Sequence, residues 1–169
     1  DLLGSRGLGD VYKRQTFNGI GGHYGDPDQP LILETDEAFN TFEKIKISDL
    51  LVLNVDSDHL DYFKNLDNYK DAFYKVMKNV TDNLVINNDD LNIKSMKKLK
   101  NPVSYGKDIS ADFKVQSPGT FLYENNKYEI KSDIIGDHFK ANMLGAIILA
   151  LLNGIEIKDS LNAIESFAG

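Results

Sequence analysis

Cysteine is absent from this 169-residue chain. Disulfide bonds are therefore excluded, which is compatible with a reducing compartment. Arginine is nearly absent: Arg6 and Arg14 are the only two, and every other cation is lysine. Long apolar runs are missing too. The longest, Met143 to Leu152, is about half of the ~20 residues that a membrane-spanning helix needs, and no secretory signal opens the chain. Positive charge is in deficit, and a net charge of −7 argues against a nucleic-acid backbone as the main partner. The glycine-rich stretch 16–30 lacks the pattern Gly-x-x-x-x-Gly-Lys-Ser/Thr. It reads as a turn-rich connection rather than a phosphate cradle.

Both arginines fall between Asp1 and Gln15, a stretch whose composition differs from everything after it. That break marks residues 1–15 as an adaptor-derived, non-native segment, to be set apart from the fold. Residues 16–169 then form the domain proper. With hydrophobic residues at 41%, they suffice for one real core.

Short apolar runs bounded by turn residues predict buried strands at Leu31–Leu33, Leu50–Val55, Asn83–Asn87 and Val103–Tyr105. Between Asn68 and Val80, apolar residues recur at Tyr69, Ala72, Phe73, Val76, Met77 and Val80, the one-sided pattern of an amphipathic helix. A short helix is expected over Leu91–Leu99, stopped by Asn101-Pro102. Alternation between Ile109 and Ile135 predicts a β-meander with a turn at Asn125-Asn126. Two helices follow, at Gly136–Asn153 with Gly154 as its cap and at Ile157–Phe167. The order indicates an α/β fold: a mostly parallel sheet flanked by helices, with a small antiparallel β-meander appended.

Ligands of open α/β sheets collect past the carboxyl ends of the strands. Two predicted strands end there in polar clusters, Glu34-Thr35-Asp36-Glu37 and Asn54-Val55-Asp56-Ser57-Asp58-His59-Leu60-Asp61. Carboxylates and an imidazole at one sheet edge suit a divalent-metal and phosphate site. Asn88, Asp89 and Asp90 occupy a third strand end, where a turn leading into a helix is the simpler reading.

Those two segments, with Gly136-Asp137-His138-Phe139-Lys140-Ala141-Asn142, resemble motifs of the central, ATP-binding domain of the Mur ligases. The family's counterparts are a Glu-Ala-Asp-Glu stretch, an Asn-Ile-x-x-Asp-His-x-Asp segment and a Gly-x-His-Asn-x-x-Asn helix start. The resemblance implies a cytoplasmic, ATP-dependent ligase of peptidoglycan precursor synthesis that joins L-alanine to UDP-N-acetylmuramate through an acyl phosphate. It implies Glu34 and His59 as catalytic ligands of Mg2+, with Asp56, Asp58 and Asp61 as supports around them. Asn142 and His138 would bind ATP.

Three departures stand out. Phe139 replaces the motif's first Asn. Tyr74, with Lys75 beside it, stands where several related ligases carry a carbamylated lysine, which favours the alanine-adding branch. The phosphate-gripping P-loop and the amino-acid-binding C-terminal domain are not within residues 16–169, so this chain by itself is expected to be inactive. A ligase that recycles a muramyl tripeptide, and a non-catalytic metal- or partner-binding module, are the alternatives.

Overall fold

The computed structural model describes residues 30–34, 42, 44–56, 60–96, 99 and 101–167, the side chains of 60 and 61 excepted. Segment 1–15 and most of the glycine-rich stretch lie outside the described residues. The chain divides into two units, Asp1–Glu34 (with Gly169) and Thr35–Ala168. In the first, residues 30–34 carry no regular secondary structure, and Leu31, Ile32 and Leu33 are 83, 93 and 57% exposed. The strand expected at Leu31–Leu33 is thus not formed. A strand exists only through its ladder, and no described residue pairs with this run.

The second unit holds a six-stranded sheet: β1 (Leu50–Val52), β2 (Leu84–Asn87), β3 (Val103–Gly106), β4 (Phe113–Ser117), β5 (Thr120–Tyr123) and β6 (Asn126–Glu129), side by side in chain order. Strands β1 to β4 run parallel, and β4, β5 and β6 are antiparallel. The meander is therefore a continuation of the parallel sheet, where the sequence suggested an appendage. The β3–β4 pair shows how. Parallel neighbours usually need a long crossover, but Phe113 pairs with Tyr105 and Lys114 with Gly106, so β4 begins level with the end of β3. The loop between them moves only sideways, and the meander rises past the carboxyl edge.

Among the described residues, five helices complete the unit: α1 (Leu60–Phe63), α2 (Leu66–Lys78), α3 (Leu91–Lys94), α4 (Asp137–Leu152) and α5 (Ile157–Ser166). Strand alternation sorts the core onto two faces. Val52, Leu84 and Ile86 pack with Tyr69, Ala72, Val76 and Met77 of α2. Val85, Tyr105, Phe113 and Phe121 pack with Met143, Leu144, Ile147 and Ile148 of α4, and Leu51 joins them. A strand buried on both faces has no polar side to show, hence the unbroken Leu-Val-Ile of β2.

Local chemistry moves several boundaries. Asn65 caps α2, its Oδ1 accepting from the Asn68 amide at 2.8 Å, so that helix begins earlier than its apolar stripe. Helix α3 ends at Lys94 because the Ser95 hydroxyl donates to the Asn92 carbonyl at 2.8 Å and turns the chain. Tyr123 pairs with Asn126, so the meander turn is Glu124-Asn125, at φ 49° and 65°, one residue earlier than expected. Helix α4 closes as a Schellman turn: Gly154 (φ 84°) donates to Leu151 O at 3.0 Å and Ile155 to Ala150 O at 3.1 Å. No described helix is long and apolar enough to cross a membrane.

Candidate functional site

The carboxyl ends of β2 and β3, the meander and the first turn of α4 enclose a cavity of about 200 Å³. Its floor is apolar, from Val115, Phe121, Ile130 and Leu144. Polar groups stand around the mouth: Asp89 after β2, Lys107 after β3, Thr120 on β5, and Asp137, His138 and Lys140 at the start of α4. An apolar body with a few converging polar groups is the usual form of a small-molecule site.

The two strand ends are stitched together. The Asn88 amide donates to Tyr105 O at 2.8 Å, and the Lys107 amide donates to Asp89 Oδ1 at 2.8 Å. Asp89 is thereby held at the mouth rather than left to swing in solvent. Beneath it, Tyr105 is 1% exposed, and its hydroxyl has no hydrogen-bond partner among the described residues. Burial chiefly, and the Asp89 charge in addition, push the phenol well above its ordinary pKa, so it remains neutral.

Gly136 opens α4 at φ 129° with no side-chain cap. The first-turn amides of a helix lack internal partners and carry the positive end of its dipole. The His138 ring lies over Gly136 and against Phe139, ring centroids 4.1 Å apart at 40°. Phe139 thus supplies a ring contact where the resembled motif has an amide. Asn142 is half-buried one turn further along α4 and does not line the cavity.

The carboxyl end of β1 is organised differently. Val55 is fully buried, its amide donating to Asp90 Oδ2 at 3.4 Å and its carbonyl accepting from Asn92 Nδ2 at 2.6 Å. Beyond the end of β1, the side chains of Asp90, the N-cap of α3, and of Asn92 hold the Val55 backbone in place of a ladder. Asp90 also caps α3 through the Ile93 amide at 2.8 Å, so the turn-into-helix reading of this strand end describes it well. Asp56 follows as an exposed residue that does have an interaction partner. Ser57, Asp58 and His59 lie outside the described residues, as does the Asp61 side chain. Glu34, in the first unit, is exposed. Among the described residues, no three His, Asp or Glu side chains come together as a metal site.

Sequence reasoning missed Lys107 and Lys140, and it gave Asp89 only a turn. The available signal was position: Asp89 and Lys107 each stand two residues past the end of a predicted strand.

Residues 35–150 match the Mur ligase middle domain. The UDP-N-acetylmuramate–L-alanine ligase of Dictyoglomus turgidum is 32% identical over 152 residues, covering 82% of this chain and 33% of that protein. Its counterpart in Clostridium botulinum (strain Hall) is 36% identical over 132 residues, covering 70% and 29%. The chain thus spans about a third of the length of the curated relatives it matches. Among solved structures, the UDP-N-acetylmuramate-alanine ligase of Thermotoga maritima aligns with a TM-score of 0.62 at 23% identity, over 76% of this chain and 31% of that one. A pseudomurein peptide ligase type C from Methanothermus fervidus aligns with a TM-score of 0.58 at 15% identity, over 73% and 35%. At these identities the two structures speak for the fold.

Proposed function

The chain belongs to the Mur ligase family, of which it carries the middle domain, and from that premise we propose that it is the nucleotide-binding part of an ATP-dependent carboxylate–amine ligase. The substrates are UDP-N-acetylmuramate and L-alanine, the pair in the names of the relatives. ATP would supply its γ-phosphoryl group to the muramyl carboxylate, leaving ADP, and the amine would then displace phosphate from the acyl phosphate to form the amide. Such an enzyme of peptidoglycan precursor synthesis works in the cytoplasm.

The observation that carries the nucleotide reading is the cavity at the start of α4. Its volume of about 200 Å³ is below the ~300–1,000 Å³ of a site that swallows a whole drug-sized ligand, and it suits one ring system. Val115, with Phe121 and Leu144 buried beneath it, gives the cavity an apolar floor on which a base could rest. Of the residues lining it, His138 would hydrogen-bond the base edge, and Asp89 and Asp137 would accept from a ring amine or a ribose hydroxyl. The α4 amides favour the anionic end of such a ligand. Asn142, taken from the resemblance, is a second candidate for the base. For magnesium, the described residues offer no assembled cluster. Glu34 and His59 are its candidate ligands by their sequence positions.

The test is calorimetric titration of the full chain with ATP in the presence of magnesium. Saturable binding that weakens about tenfold or more in His138→Ala, the loss of one good polar contact, supports the reading. Equal binding by the variant, or no binding at millimolar ATP, overturns it.

A further inference from the structure

Lys140 is oddly placed for a lysine. It sits in the first turn of α4, where a cation opposes the helix dipole. Its side chain does not run out to solvent. It folds across to the meander, and Nζ donates to Ile130 O at 3.3 Å and to Ser132 O at 3.1 Å. Its methylenes lie along the β4–β5 turn, with Cδ 3.4 Å from where a Cβ of Gly119 would stand. Ile130 itself donates to Gly119 O at 2.7 Å, and Ile134 donates to Ser132 Oγ at 3.2 Å. Beyond the Ile130 amide, the irregular link between β6 and α4 has neither a helix nor a ladder to hold it. One ammonium takes up two of its carbonyls. Gly119, Ile130, His138 and Lys140 all line the same cavity.

We propose that Lys140 is the positioning residue of this cavity: by capturing the carbonyls of Ile130 and Ser132 it sets the distance between the meander wall and the first turn of α4. The place from which His138 meets a ligand is set with it. One charged donor shared by two carbonyls, at 3.1 and 3.3 Å, forms a two-point, charge-assisted latch. Its loss frees the link locally, while the core of α4 stays packed on the sheet.

The experiment compares amide hydrogen exchange in the full chain and in Lys140→Met and Lys140→Arg, without ligand. Methionine keeps the stem and removes the donor, and arginine keeps charge and donors. The expected result is exchange at Ile130 and Ile134 faster by about tenfold or more in Lys140→Met, with Ile147 and Val85 unchanged, and slow exchange kept in Lys140→Arg. Unchanged exchange at Ile130 and Ile134 overturns the proposal. So does equal acceleration at Ile147 and Val85, which marks a general stability residue, and so does failure of arginine to rescue. A second arm, which rests on the nucleotide reading, titrates ATP with magnesium. Weaker binding by Lys140→Met with rescue by arginine supports positioning, and equal binding by wild type and Lys140→Met overturns it. If the wild type binds no ATP, that reading fails, while the exchange result still decides the latch.

Discussion

The carboxylate of Asp89 occupies the space that a side chain at Gly106 would need: a Cβ there would stand 2.6 Å from Asp89 Oδ1 and 3.3 Å from the Asp89 amide nitrogen. Gly106 has φ 155°, a conformation that side chains rarely adopt. The close approach lets β3 end directly under Asp89 and lets the Lys107 amide reach the carboxylate. The position of Asp89 at the cavity mouth therefore depends on a glycine 17 positions further along the chain.

Gly106→Ala is expected to destabilise the protein by about 1–3 kcal/mol, through backbone strain and displacement of Asp89. Chemical denaturation measures the loss. An unchanged midpoint would show that Asp89 moves aside without cost.

Asp90→Ala removes the cap of α3 and the acceptor for Val55 at once. A lost cap costs about 1 kcal/mol. The distinctive outcome is faster amide exchange at both Val55 and Ile93, two residues distant in sequence that share this carboxylate.

Tyr105 titrates higher in the folded protein than in the unfolded chain. The unfolded chain therefore loses the phenolic proton first. The resulting contribution to stability is whole below about pH 10, the ordinary tyrosine value, and declines as pH rises through and beyond it. Tyr105→Phe is expected to show a shallower alkaline fall in Tm between about pH 8 and 11. At neutral pH it should be as stable as the wild type or up to about 1 kcal/mol more so, since an unpaired buried hydroxyl is removed. An identical alkaline slope in the variant would contradict this account.

Ser160 carries another buried hydroxyl with no partner among the described residues, within α5 where it packs on α4. Ser160→Ala should be neutral or raise stability by up to about 0.5 kcal/mol, as alanine is the better helix former. A clear loss in thermal melting would reveal a partner for this hydroxyl.

Strands β2 and β3 and helices α2, α4 and α5 were legible because each buries a face whose period shows in the residues themselves. Val85 between Leu84 and Ile86 already implies a strand covered on both sides. Leu31–Leu33 misled for the complementary reason: an apolar run states a preference for burial but does not supply the neighbour that provides it. Of the cavity, His138 was visible through a motif. Lys107 and Lys140 were not, since a lysine looks alike in sequence whether its ammonium faces water or two carbonyls.

Periodicity, turn chemistry and motif order, all carried within a few residues of one another, were enough to determine the α/β class, the parallel strands, the meander and the family resemblance. The tertiary structure alone decided that the meander extends the parallel sheet past its carboxyl edge. It also decided that Asp89 closes over Gly106 and that Lys140 ties α4 to the link after β6. These are contacts between separate elements, 8 to 17 residues apart for Lys140 and Asp89, and they depend on how the strands and helices are placed against one another. No local pattern of residues records that placement.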